Sequence, residues 1–279
     1  MSRVSVSASG VSHLRHPADW AFTGWYTLVY HRPMPSRGRI LSLAAASALL
    51  LATAPSALAA ESGITGKISP NKGPVGTPLD LSIGFTIRAA DGEQPTLSKA
   101  VLDFPNNAVQ NGKLFPSCTA AQINAKRGRF TSCPKGSQIG KGSLRADVPN
   151  ADVYNVPGRV TIFNGAGGKS LTVHIYATNP VLISEAFDAP LVKTSGRFGY
   201  RLTSNVPYSL QEISDGWFAV LKSFNTTVGA TRTVRGRKRG YIEAKRCPRG
   251  GRAPIAGAFS FMNGTGAATS TTGFISCRP

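Results

Sequence analysis

Apolar and polar residues alternate along much of the chain. In residues 79–88, LDLSIGFTIR, the odd positions Leu79, Leu81, Ile83, Phe85 and Ile87 are apolar, and every even position is small or polar. A period of two places one face of a β-strand in a core. Residues 197–203, RFGYRLT, repeat the pattern with Phe198, Tyr200 and Leu202. Residues 171–177, LTVHIYA, set Leu171, Val173 and Ile175 against Thr172, His174 and Tyr176. WFAVL, residues 217–221, is apolar on both faces, which predicts a central strand with Trp217 as a core anchor. The dipeptides Asp91-Gly92, Asn111-Gly112, Asn164-Gly165, Asp215-Gly216 and Asn263-Gly264 accept positive φ and predict tight turns between strands. One helix is predicted over residues 119–126, TAAQINAK, just after Cys118. Many strands at short spacing, with no helix–strand alternation, predict an all-β fold, an antiparallel β-sandwich in one domain.

The N-terminal part reads differently. Residues 40–54, ILSLAAASALLLATA, are apolar and uncharged, follow Arg37 and Arg39, and end at Pro55 before an A-x-A site at Ala57 and Ala59. This is the anatomy of a secretory signal peptide, and it is short of the roughly 20 apolar residues of a spanning helix. Signals begin near the start of a chain, so Met34 is the expected start; the alternative is a start at Met1, with a long n-region cleaved along with the rest. Residues 1–33 are then an over-called extension, 34–59 the signal peptide, and 60–279 a secreted domain beginning at Ala60. Membrane contact is expected only through that signal.

Four cysteines, Cys118, Cys133, Cys247 and Cys277, follow the signal. In a secreted chain an even number predicts two disulfides, with three connectivities open. Cys118–Cys133 and Cys247–Cys277 are favoured, because each pair brackets one hairpin-sized unit. A metal site is disfavoured: no C-x-x-C occurs, and His174 is the only histidine beyond residue 59. No metal and no cofactor are expected.

Several strings occur together: Leu102-Asp103-Phe104-Pro105, Phe115-Pro116-Ser117-Cys118, Phe163-Asn164-Gly165, Tyr241-Ile242-Glu243, Cys247-Pro248, and the most specific, CPKGSQIGKG from Cys133 to Gly142. The chain resembles a group of secreted actinobacterial proteins with an FPxC…CPxxSxIGxG motif and a closing Cys pair. The resemblance spans roughly residues 64–277 and implies a secreted, β-rich fold. It carries over no activity and no functional residues.

Candidate chemistry is sparse. Gly165-Ala166-Gly167-Gly168-Lys169-Ser170 imitates a phosphate loop, but Phe163 stands where the first Gly is needed and a strand follows instead of a helix, so a hairpin loop is expected. A Ser-His-Asp hydrolase would have to use His174, which lies mid-strand, and no G-x-S-x-G elbow exists. A carboxylate pair such as Glu185 with Asp188 would suit a glycosidase, but nothing in SEAFD marks it. In a bacterial chain, as the resemblance implies, the sequons at Asn225 and Asn263 carry little weight.

Charge is the uneven feature. The chain has 32 Lys and Arg against 13 Asp and Glu, a net charge of +19. Residues 232–252 hold nine cations, Arg232, Arg235, Arg237, Lys238, Arg239, Lys245, Arg246, Arg249 and Arg252, against Glu243 alone. RGRKRG is expected to be a hairpin loop able to hold a polyanion: an anionic cell-wall polymer, anionic lipid heads or extracellular nucleic acid. The cations have no interleaved aromatic residues, so no specific nucleic-acid site is expected. The sequence therefore predicts a secreted, non-enzymatic binding or structural protein of the cell envelope. A carboxylate-based hydrolase acting on a polymer and a lipid-carrying β-sandwich are the alternatives.

Overall fold

The computed structural model describes residues 60–90, 93–262 and 265–278. The expected extension and signal peptide lie outside the described residues, as do the turns at Asp91-Gly92 and Asn263-Gly264. The first strands are β1 (Glu61–Ser69), β2 (Pro78–Arg88), β3 (Leu97–Pro105), β4 (Ala108–Gln110), β5 (Gln138–Val148) and β6 (Val153–Asn164). They are followed by β7 (Ser170–Ala177), β8 (Ile183–Lys193), β9 (Phe198–Asn205), β10 (Glu212–Ser214), β11 (Trp217–Phe218) and β12 (Val220–Val228). The last are β13 (Thr231–Val234), β14 (Arg237–Gly240), β15 (Ile242–Ala244), β16 (Arg252–Phe261) and β17 (Thr269–Ser276). Two short helices, α1 (Ala120–Asn124) and α2 (Tyr208–Gln211), complete the regular elements together with four single 3-10 turns.

Eleven strands form a closed ring in the order β1, β17, β16, β3, β9, β8, β7, β6, β5, β12, β2, with β2 pairing back to β1. The all-β class expected from the sequence holds, but the sandwich does not: the sheet is a barrel. Alternation shows that each strand buries one face. It does not say whether that face meets a second sheet or the concave side of its own. Closure removes the free edges that a sandwich would leave. An odd-numbered ring cannot alternate in direction throughout, and its one parallel pair is β1 with β17. Glycines permit that seam. A Cβ on Gly66 would lie 2.5 Å from Ile275 Cγ1, and one on Gly273 would lie 2.6 Å from the Ile64 carbonyl oxygen.

The pattern of LDLSIGFTIR is realised in β2, where Ile83, Phe85 and Ile87 join one core with Leu102, Val173, Ile175, Leu202 and Ile255 of the other staves. Most outward positions are polar, among them Asp80, Ser82, Thr161, Thr203 and Thr272, with Tyr154, Val192 and Phe274 as exposed exceptions. A membrane-spanning barrel shows the reverse arrangement, apolar outside and polar within.

β1 ends at Ser69 and β2 begins at Pro78 at one end of the barrel, called here the upper end. The connections 70–77, 106–137, 165–169, 194–197 and 229–251 and the tail at 277–278 lie there. β15 and β4 extend β2 at this end through Ile242↔Leu79 and Ile242↔Gln110. Residues 106–137 then cover the outer wall over β6, β7 and β8. Cys118, Ile123, Phe163 and Ala186 form a second small core beneath α1. The helix begins with the capping box of Thr119 and Gln122, which fixes its start one residue inside the expected range, and it ends at Asn124, two residues short. Asn164 anchors this excursion. Its buried Nδ2 donates to the carbonyls of Gly112, Phe115 and Pro116 at 3.0 to 3.1 Å.

WFAVL is not one central strand. Trp217 and Phe218 form the two-residue β11 against β10, β12 starts at Val220, and Trp217 is half-buried at the lower end instead of anchoring the core. The turn at Asp215-Gly216 joins β10 to β11, with Gly216 at φ 70°. Asn111-Gly112 opens a 3-10 turn and not a hairpin. A second helix, α2, is present beyond the single one expected.

Candidate ligand cavity and its basic rim

A ring of eleven strands encloses more space than its own side chains fill when no segment threads it. Here the interior holds a cavity of about 710 Å³. Its wall is the inward face of the staves, including Ile83, Phe85, Leu102, Val173, Leu202 and Phe224. Leu144, Ala146, Phe187, Leu191 and Leu221 also face it, yet remain only half-buried. They present apolar surface to an unfilled space, and that surface is what an apolar ligand would cover.

The cavity opens at the upper end. Its exposed lining residues are Pro70 to Val75, Lys245, Arg246, Arg249 and Arg278 there, against Asn179 alone at the lower end. The lower end is crossed by residues 206–219. Val206, Leu210 and Ile213 face the cavity there, and Ser209 Oγ in α2 donates to Glu185 Oε2 at 2.6 Å. The upper rim is knitted by backbone contacts. Arg278 N–H donates to the Asn71 carbonyl at 2.8 Å, Gly76 N–H to Ala244 at 2.8 Å, and Cys277 N–H to Gly251 at 2.9 Å. The Cys247–Cys277 disulfide ties the same loops, and Cys118–Cys133 closes the outer-wall excursion, so both favoured pairings are present. The two bridges fit an oxidising environment.

Below the rim, Tyr241 is buried with its ring edge against Phe115 at 5.3 Å, and its hydroxyl accepts from Gln110 Nε2 at 2.8 Å. Burial pushes this phenol up to about 12. Glu243 is buried beside it. Its Oε1 accepts from Arg239 Nε at 2.8 Å and from Gly240 N–H at 2.9 Å, and its Oε2 accepts from the Arg239 guanidinium at 2.9 Å. The Arg239 contact holds the Glu243 carboxyl down at about 2.

The nine cations singled out from the sequence are gathered at this end, but they are not equivalent. RGRKRG is not a loop: β13 and β14 form a hairpin whose turn is Arg235-Gly236, both at positive φ. Arg235, Arg237 and Lys238 are exposed on it, Arg232 donates to the Leu114 carbonyl, and Arg239 is committed to Glu243. Lys245, Arg246 and Arg249 line the cavity mouth, and Arg252 stands 4.2 Å over the Phe274 ring. Lys72 and Arg278, which no local charge run marks, join the mouth.

The other candidate sites come apart. His174 is buried on the outer wall beneath Phe130, with Nε2 3.1 Å from Ser184 Oγ. Burial, and then the nearby Arg159, lower its pKa. Glu185 and Asp188 lie on opposite faces of β8. The first meets Ser209, and the second accepts from Thr172 and from the Ala120 N–H. The Gly165–Lys169 segment is a 3-10 turn leading into β7. Among the described residues no group of three His, Cys, Asp or Glu could hold a metal, and no helix is long and apolar enough to cross a membrane.

The lipid-carrying alternative implies an apolar groove, but no residue in the sequence marks a hollow interior. The row of inward apolar positions looks the same whether a core is filled or hollow. Family models, curated proteins and solved structures were all compared with this chain, and none matches it.

Proposed function

We propose that this is an exported, non-enzymatic carrier that holds the apolar chain of an amphiphile inside the barrel, with the polar head at the cationic mouth. The observation that carries this reading is the apolar cavity of about 710 Å³ opening between Lys72, Lys245, Arg246, Arg249 and Arg278. Its volume lies within the usual range for small-molecule sites. The apolar segment at residues 40–54, with its A-x-A site, and the two disulfides support export. An anionic head, a carboxylate or phosphate, suits the mouth because every charged side chain that lines it is positive.

Titration of the purified protein with the apolar fluorophore N-phenyl-1-naphthylamine tests the reading. Saturable fluorescence enhancement is expected, with displacement by dodecanoic acid. Ala146→Phe, which extends a ring into the cavity, should abolish it while the protein stays folded. Enhancement that is absent, or equal in Ala146→Phe, would remove the cavity from the account.

A further inference from the structure

The charges of this barrel are sorted along its axis. The upper connections and the tail hold seventeen Lys or Arg and a single acid, Glu243, which is already paired with Arg239. The lower connections are 89–96, 149–152, 178–182, 206–219 and 262–268. Their described residues hold four acids, Glu93, Asp152, Glu212 and Asp215, and no Lys or Arg. The cations come from six separate stretches of chain, so the sorting belongs to the folded shape and not to one basic run. The cavity mouth opens in the middle of the positive end.

The most exposed large apolar residue among those described also sits there. Val75 is 77% exposed, between Pro74 and Gly76 in the loop that also carries Lys72. An apolar side chain at the tip of a cationic rim gains nothing from a soluble polyanion. It gains burial from a surface that is anionic outside and apolar beneath.

We propose that the upper end docks on an anionic lipid bilayer, with the lysines and arginines on the headgroups and Val75 inserted below them. The acidic lower end is repelled by the same surface, so the field of the protein sets its orientation before contact. Docked this way, the mouth faces the acyl region, and an apolar chain can pass between bilayer and barrel without crossing water. That last consequence rests on the carrier reading; the docking does not.

The experiment is co-sedimentation of the purified protein with phosphatidylcholine vesicles, with and without phosphatidylglycerol. Binding is expected only with the anionic lipid, and it should weaken as salt rises. Lys72→Glu with Arg249→Glu should lower the affinity by roughly tenfold or more. Arg88→Glu with Lys99→Glu makes the same change in net charge on exposed positions of the lower half and should have a much smaller effect. Val75→Asp should also weaken binding. Ala146→Phe should still bind vesicles, so a failure of the carrier reading would be seen separately in the fluorophore titration. Equal binding to neutral vesicles, or equal losses in the two charge-reversed pairs, would overturn the proposal. So would a Val75→Asp protein that binds like the parent and is fully displaced by heparin, since a soluble polyanion would then be the partner.

Discussion

Gly66 faces Ile275 across the only parallel pairing in the ring, and a single added carbon on Gly66 would overlap the isoleucine side chain. Gly273, two residues before Ile275, has no more room, because a Cβ there would meet the Ile64 carbonyl oxygen at 2.6 Å. A backbone atom cannot rotate away as a side chain can. Gly273→Ala should therefore destabilise the protein by about 1–3 kcal/mol. Ser270→Ala on the exposed face of the same strand should stay within about 0.5 kcal/mol. Thermal or denaturant unfolding checks both, and equal effects would show that the seam is not tight.

Glu243 makes stability depend on acid. Its carboxyl is held at about 2 by Arg239 in the fold, against an ordinary value of 4.5. The unfolded chain therefore takes up the proton first. The stabilisation is complete above about pH 4.5 and is lost as the pH falls through 2. Denaturation series on the parent and on Glu243→Gln should differ at neutral pH and converge across that window.

His174 acts in the same direction at higher pH. Its folded pKa is lowered from 6.5 by burial and by Arg159, so the unfolded chain again binds the proton more readily. Stability should decline as the pH drops below 6.5, towards and through the folded value. His174→Gln should remove that part of the decline. A parent and variant that track each other from pH 7 to pH 5 would contradict the burial of a neutral imidazole.

The two disulfides should separate in their effects. Replacing Cys247 and Cys277 by Ala opens a 30-residue loop, worth about 3.6 kcal/mol in the chain-entropy account. It also frees the Arg249 loop from the tail, so fluorophore affinity should fall as well. Replacing Cys118 and Cys133, 15 residues apart, should cost about 3 kcal/mol and leave the cavity affinity unchanged, because that bridge lies on the outer wall. Matched titrations and unfolding curves on the two double variants check this.

The strands were legible where one face is buried and the other wet. LDLSIGFTIR shows this, and β2 follows it closely. LTVHIYA gave the strand β7, but its polar face, Thr172 and His174, is buried as well, under residues 106–137. The helix after Cys118 was legible from the composition of TAAQINAK, while its capping box emerged only from the fold. Ring closure was not, because it depends on Gly66 meeting Ile275 across more than two hundred residues. WFAVL misled because an apolar run at a barrel rim, partly covered by its neighbours, has the composition of a central strand. The basic hairpin was visible as a run, whereas Lys72 and Arg278 reach the mouth only through the fold. Exposed Val75, set between Pro74 and Gly76, carries no sequence signal at all.

Methyl NMR of protein labelled at Ile, Leu and Val, titrated with dodecanoic acid, tests the central claim most directly. If the barrel holds an apolar chain, saturable shifts appear at the cavity residues Ile83, Val173 and Leu202, and not at the exposed Leu182 and Val192. Shifts confined to exposed methyls, or none at any ligand concentration, would show that the interior of the barrel is not a binding site.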